Sequence, residues 1–155
     1  MKILPGIGVG CIRYGMKESK VIQILGDADK VEEFEYIKGE NDWYRELCYL
    51  KQGLTLSFSS EDNFKLGEIS ITGKEHLLFS KDILGYTIDQ AKKFISGITT
   101  ELAIYEDCTW GKEETSELLH LEGLGLMLWF KSGVLDELVC SYLFENDNET
   151  VIWPK

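Results

Sequence analysis

The chain has 155 residues, of which 44% are hydrophobic, 12% aromatic and 28% charged, with only two prolines. That composition excludes a disordered chain, and the length excludes two independent average domains, leaving one domain over 1–155 with a single well-buried core. Sixteen basic against 27 acidic residues give a formal charge of −11, which repels nucleic-acid phosphates and anionic membrane surfaces and favours basic proteins as partners.

The opening Gly6-Ile7-Gly8-Val9-Gly10 reads as a turn-rich entry. Its glycine spacing lacks the preceding strand and the third-glycine step of a dinucleotide loop. Gly8-Val9-Gly10-Cys11 has the outline of a lipoprotein cleavage site, but Ile3, Leu4, Ile7 and Val9, broken by Pro5 and glycines, fall short of a secretory apolar stretch. A cytoplasmic protein is therefore expected. A first helix is predicted from Lys17 to Leu25, with Val21, Ile24, Leu25 and Ala28 on one face and Gly26 as the stop. Strands follow near 30–37, 44–51, 54–59 and 66–72. Alternation in 54–59 turns Leu54, Leu56 and Phe58 inward and Thr55, Ser57 and Ser59 outward.

A second helix is predicted from Ile88 to Ser96, opened by Thr87 with Gln90 completing a capping box. Strands near 100–106, 116–121, 126–131 and 134–144 follow it. Gly53 to Phe58 matches Gly125 to Phe130, and Leu66 to Ile69 matches Leu135 to Leu138, so the chain reads as two copies, about 6–73 and 79–145. The expected fold class is α+β: two tandem helix-plus-four-stranded antiparallel sheet repeats forming one domain, helices on one face and the other face open.

Chemistry-bearing signatures are sparse. Cys11, Cys48, Cys108 and Cys140 are far apart, without C-x-x-C or a histidine at ligand spacing, and read as reduced structural residues. His76, in the link between copies, and His120, among leucines, have no nucleophile or orienting acid at a recognisable spacing. Glu32-Glu33, Glu113-Glu114 and Asp136-Glu137 read as solvated strand edges and turns. The expectation is no catalytic residue, no metal and no cofactor.

The binding signal is aromatic and acidic together. Where the first copy has Thr55 and Ser57, the second has Met127 and Trp129, apolar groups predicted to face outward. The links before the second strand of each copy join acids to a tryptophan: Asp42 and Trp43 in one, Glu106, Asp107, Trp110, Glu113 and Glu114 in the other. An aromatic anchor ringed by carboxylates suits a basic protein partner.

Gly6-Ile7-Gly8 through Gly15-Met16 to Ile24-Leu25-Gly26 resembles the opening of SmpA-type outer-membrane assembly lipoproteins. The tandem layout is similar to that of the beta-lactamase inhibitor protein family, and the size and acidity resemble bacterial toxin immunity proteins, including the contact-dependent growth inhibition type. These resemblances imply a sheet that clamps another protein, namely an immunity protein that occludes a basic toxin domain such as a nuclease. A regulatory module holding a small ligand or peptide between the repeats is the alternative.

Overall fold

Alternating apolar residues dominate the chain, and they form strands wherever one side chain in two can be buried. The computed structural model describes residues 1–111 and 114–155. In chain order the elements are β1 (Lys2–Leu4), β2 (Gly8–Val9), β3 (Ile12–Arg13), α1 (Glu18–Leu25), β4 (Lys30–Glu35), β5 (Trp43–Tyr49), β6 (Leu54–Ser59), β7 (Lys65–Ile71) and β8 (Leu77–Leu78). There follow α2 (Ile88–Ser96), β9 (Ile104–Asp107), β10 (Ser116–Leu121), a 3-10 turn (Glu122–Leu124), β11 (Leu126–Lys131), β12 (Val134–Ser141), β13 (Leu143–Phe144) and β14 (Val151–Ile152).

Eight strands form one sheet in the order β4-β5-β6-β7-β12-β11-β10-β9, every neighbouring pair antiparallel. Leu54, Leu56, Phe58, Leu126, Leu128 and Phe130 are buried on one side of it, in the same apolar cluster as Val21 of α1 and Ala91 and Ile95 of α2. Both helices therefore cover that side. Thr87 caps α2, its hydroxyl accepting from the Gln90 amide at 3.3 Å while Gln90 Oε1 accepts from the Thr87 amide at 2.9 Å. Each helix entry is tied to a strand by a glycine in a left-handed conformation. Gly15 (φ 85) donates to the Leu66 carbonyl and Gly85 (φ 87) to the Leu135 carbonyl, both at 2.8 Å. A side chain at either position would be strained.

The expected α+β class, two tandem helix-plus-four-stranded repeats, is overturned. The described residues are mostly β, and the two α-helices among them have only eight and nine residues, too short to be stable without the sheet beneath them. Ile69 and Ile71 of β7 pair with Cys140 and Leu138 of β12, so the strands form one continuous eight-stranded sheet. The Gly6–Gly10 stretch, expected as a turn-rich entry, instead contributes β2 (Gly8–Val9) between β1 and β3, because Ile3, Val9 and Ile12 are buried. β1 pairs in parallel with β8, from the stretch expected to be a mere link, which makes a small four-stranded sheet. The strand expected over 134–144 stops at Ser141, and Leu143–Phe144 pairs with Val151–Ile152. His76, in that same link, is buried at 7% exposure with Nε2 2.8 Å from the Gln52 carbonyl oxygen. No helix among the described residues is long and apolar enough to cross a membrane.

Candidate binding face

Pairing register decides which side chains share the face away from the helices. Directly opposed residues lie on the same face, so one row runs Glu32, Glu46, Ser57, Glu68 and Ser141 across five strands. The next row runs Lys30, Cys48, Thr55, Ser70, Val139, Met127, His120 and Ile104. Glu137, Trp129, Leu118 and Glu106 continue the face on the far strands. Five glutamates thus share one surface.

Few cations answer them. Lys30 Nζ is 2.7 Å from Glu32, Lys131 Nζ lies 3.9 Å from Glu114, and Lys65 Nζ sits 4.9 Å over the Trp153 ring. Hydroxyls serve instead: Ser57 donates to Glu46 at 3.2 Å, and Ser70 donates to Glu137. Glu68 has no hydrogen-bond or ion-pair partner among the described residues. Burial, with Glu137 and Glu46 as like-charged neighbours, pushes its carboxyl above the ordinary glutamate value.

Around Glu68 the face dips into a cleft of about 160 Å3 between Tyr44, Tyr142 and Phe144, with Asp62 at its rim. Gly67 makes this possible. A β-carbon there would come within 3.1 Å of the Tyr142 ring and 3.3 Å of Asp62 Oδ2. The Tyr142 hydroxyl donates to Asp62 Oδ2 at 3.1 Å, and Tyr44 stacks on Phe34 with ring centres 5.9 Å apart.

Of the residues the sequence singled out, Glu106, Met127 and Trp129 lie on this face, Met127 and Trp129 half-buried. Trp43 does not. It alternates with Arg45 and Leu47 and so belongs to the helix side, with Nε1 donating to Asn41 Oδ1 at 3.2 Å. Asp42 accepts from the Ser60 hydroxyl at 3.4 Å, in the loop beside it. Asp107 ends β9 on the helix side, opposite Glu117; hydrogen bonds from the Thr109 hydroxyl and amide hold its carboxyl below the usual range. Trp110 is 83% exposed in the loop after β9, and Glu114 accepts from the Ser132 hydroxyl at 2.5 Å. Glu113 lies outside the described residues. The eight described positions of the nine thus do not share one face of the sheet.

Comparison with protein-family models, curated proteins and solved structures gives no match. The case for the face is therefore physical. One trio could hold a metal ion: Glu32, Glu46 and Cys48 have ligand atoms within 4.8 Å of one another, but the Lys30 ammonium already answers part of that charge. Sequence reasoning missed Glu46, Glu68 and Glu137 as a group, and Tyr44 and Tyr142 beside them. The available signal was acid or hydroxyl at every second position, as in Tyr44-x-Glu46 and Glu68-x-Ser70. Asp136-Glu137, read among solvated strand edges and turns, instead places Glu137 half-buried on a strand at the centre of the sheet.

Proposed function

We propose that this chain is a binding protein of the immunity type, which occludes a basic toxin domain with the open face of its sheet. The observation that carries the reading is the row Glu32, Glu46 and Glu68, with Glu106 and Glu137 beside it, on a face that also presents Trp129, Met127 and Tyr44. Only Glu32 of these carboxylates has an ion pair among the described residues, with Lys30; the others cost solvation and mutual repulsion, and a cationic partner relieves both. Aromatic and methionine side chains supply the desolvated contact that holds such a complex together. Two sources of affinity are thus on one surface.

Two observations support protein binding over catalysis. The carboxylates form a line across strands, with the thiol beside Glu32 and Glu46, that of Cys48, buried, and among the described residues neither histidine is hydrogen-bonded to a carboxylate. His120 lies between Met127 and Ile104 in the second row, and His76 is buried with Nε2 at the Gln52 carbonyl, in the turn between β5 and β6.

The test is genetic and biochemical. The genes flanking this one are searched for a basic domain; any found is produced in bacteria with and without the chain, and complex formation is measured by calorimetry. Protection of growth, with a one-to-one complex whose affinity falls with salt, is the expected result. A neighbouring basic domain that is neither bound nor neutralised would overturn the reading.

A further inference from the structure

We infer that the cleft around Glu68 receives one arginine side chain of the basic partner. This rests on the open face being the binding surface and specifies what its centre recognises. The cleft holds about 160 Å3, room for a guanidinium and its adjoining methylenes, and its lining contains no cation. Glu68 provides a carboxylate without a partner among the described residues, and Asp62 offers a second whose Oδ2 already accepts from Tyr142. Tyr44 and Phe144 stand on the walls.

The chemistry of these groups selects the ligand. A guanidinium is flat, carries several donors in a fixed fork and is weakly hydrated, so it can pair with Glu68 along its edge while lying against an aromatic ring. An ammonium has the charge but neither the fork nor the plane. Tyr142 meets Phe144 edge-on, with ring centres 5.3 Å apart, and Trp153 at 5.1 Å. Those contacts brace the wall before any ligand enters, which lowers the ordering cost of binding. Ser57 and Ser141 flank Glu68 in register, hydroxyls that can accept from guanidinium N–H groups Glu68 does not engage. Lys65, the nearest intramolecular cation in sequence, is held over Trp153 and does not line the cleft.

The experiment is a titration of the isotope-labelled chain, followed by amide NMR, with N-acetyl-arginine amide and its lysine and citrulline counterparts. The arginine probe is expected to shift the amides of Gly67, Glu68, Ser141 and Tyr142. The lysine probe should bind more weakly, and the citrulline probe, equal in shape but uncharged, should not bind. Glu68→Gln should retain the spectrum of the folded protein and weaken the arginine response by about tenfold or more, the loss of a charge-assisted pair. Equal responses to arginine and citrulline, an undiminished response in Glu68→Gln, or no shift at these amides would each overturn the assignment. If the probe fails while Glu32→Lys and Glu46→Lys still abolish binding of the basic domain, the cleft assignment falls and the face remains. If those reversals also leave binding intact, the reading of the face itself falls.

Discussion

Glu68 shows at the scale of one residue how a half-buried carboxylate at a candidate binding site opposes stability. Its carboxyl is raised above the ordinary value of 4.5 by burial first and by Glu137 and Glu46 next, so the folded state holds a proton more readily than the unfolded chain. The stabilisation associated with that proton is complete below the ordinary value and is lost as pH rises through the raised one. At neutral pH the charged form therefore weakens the fold. Glu68→Gln should accordingly unfold at a higher urea concentration at pH 7, and the gain should vanish at acid pH, where both side chains are neutral. An unchanged or lower midpoint at pH 7 would contradict this account of the site. Inside the core the sign is plain: Leu56 is completely buried, and Leu56→Ala should lose about 2–5 kcal/mol of unfolding free energy in the same titration.

At the scale of elements, local sequence carries most of what determines each strand and little of what joins them. Thr87 and Gln90 announced the start of α2 because both partners of the capping box lie within one turn. Thr87→Ala should cost about 1 kcal/mol, measurable by thermal unfolding, and a neutral result would show that sheet packing alone fixes this end. Strand β6 was legible because its apolar and polar residues alternate, and β10 and β11 because they are short apolar runs bounded by polar or turn residues. The rows of the open face were not, since Glu32 meets Glu46 and Glu68 meets Ser141 only through register between strands, and in the second pair those strands are far apart in sequence. Trp43 was misplaced for a related reason. Starting β5 one residue earlier than the 44–51 expected from sequence brings it into the strand on the side of Arg45 and Leu47. The N-terminal strands were hidden because β1 to β3 are two or three residues each and take their order from β8, some seventy residues later.

On the scale of the whole molecule, continuity and charge make separate claims. One sheet and one apolar cluster span both halves of the chain, so unfolding should be a single transition. Tryptophan fluorescence and far-ultraviolet circular dichroism should give the same midpoint in urea; two separated midpoints would show that the halves unfold independently. The net charge of −11 acts on encounter, through a field that salt screens, whereas desolvated aromatics act on how slowly a complex parts. The most direct test of the central claim is the kinetics of binding to the basic domain, at low and high salt, for the native chain, for the combined variant Glu32→Lys, Glu46→Lys, Glu106→Lys, and for Trp129→Ala, each verified as folded. The combined reversal should slow association at low salt by about tenfold or more and flatten its salt dependence. Trp129→Ala should speed dissociation, at a cost of about 2 kcal/mol. If both variants bind the basic domain as the native chain does, the open face is not the binding surface and the account is wrong.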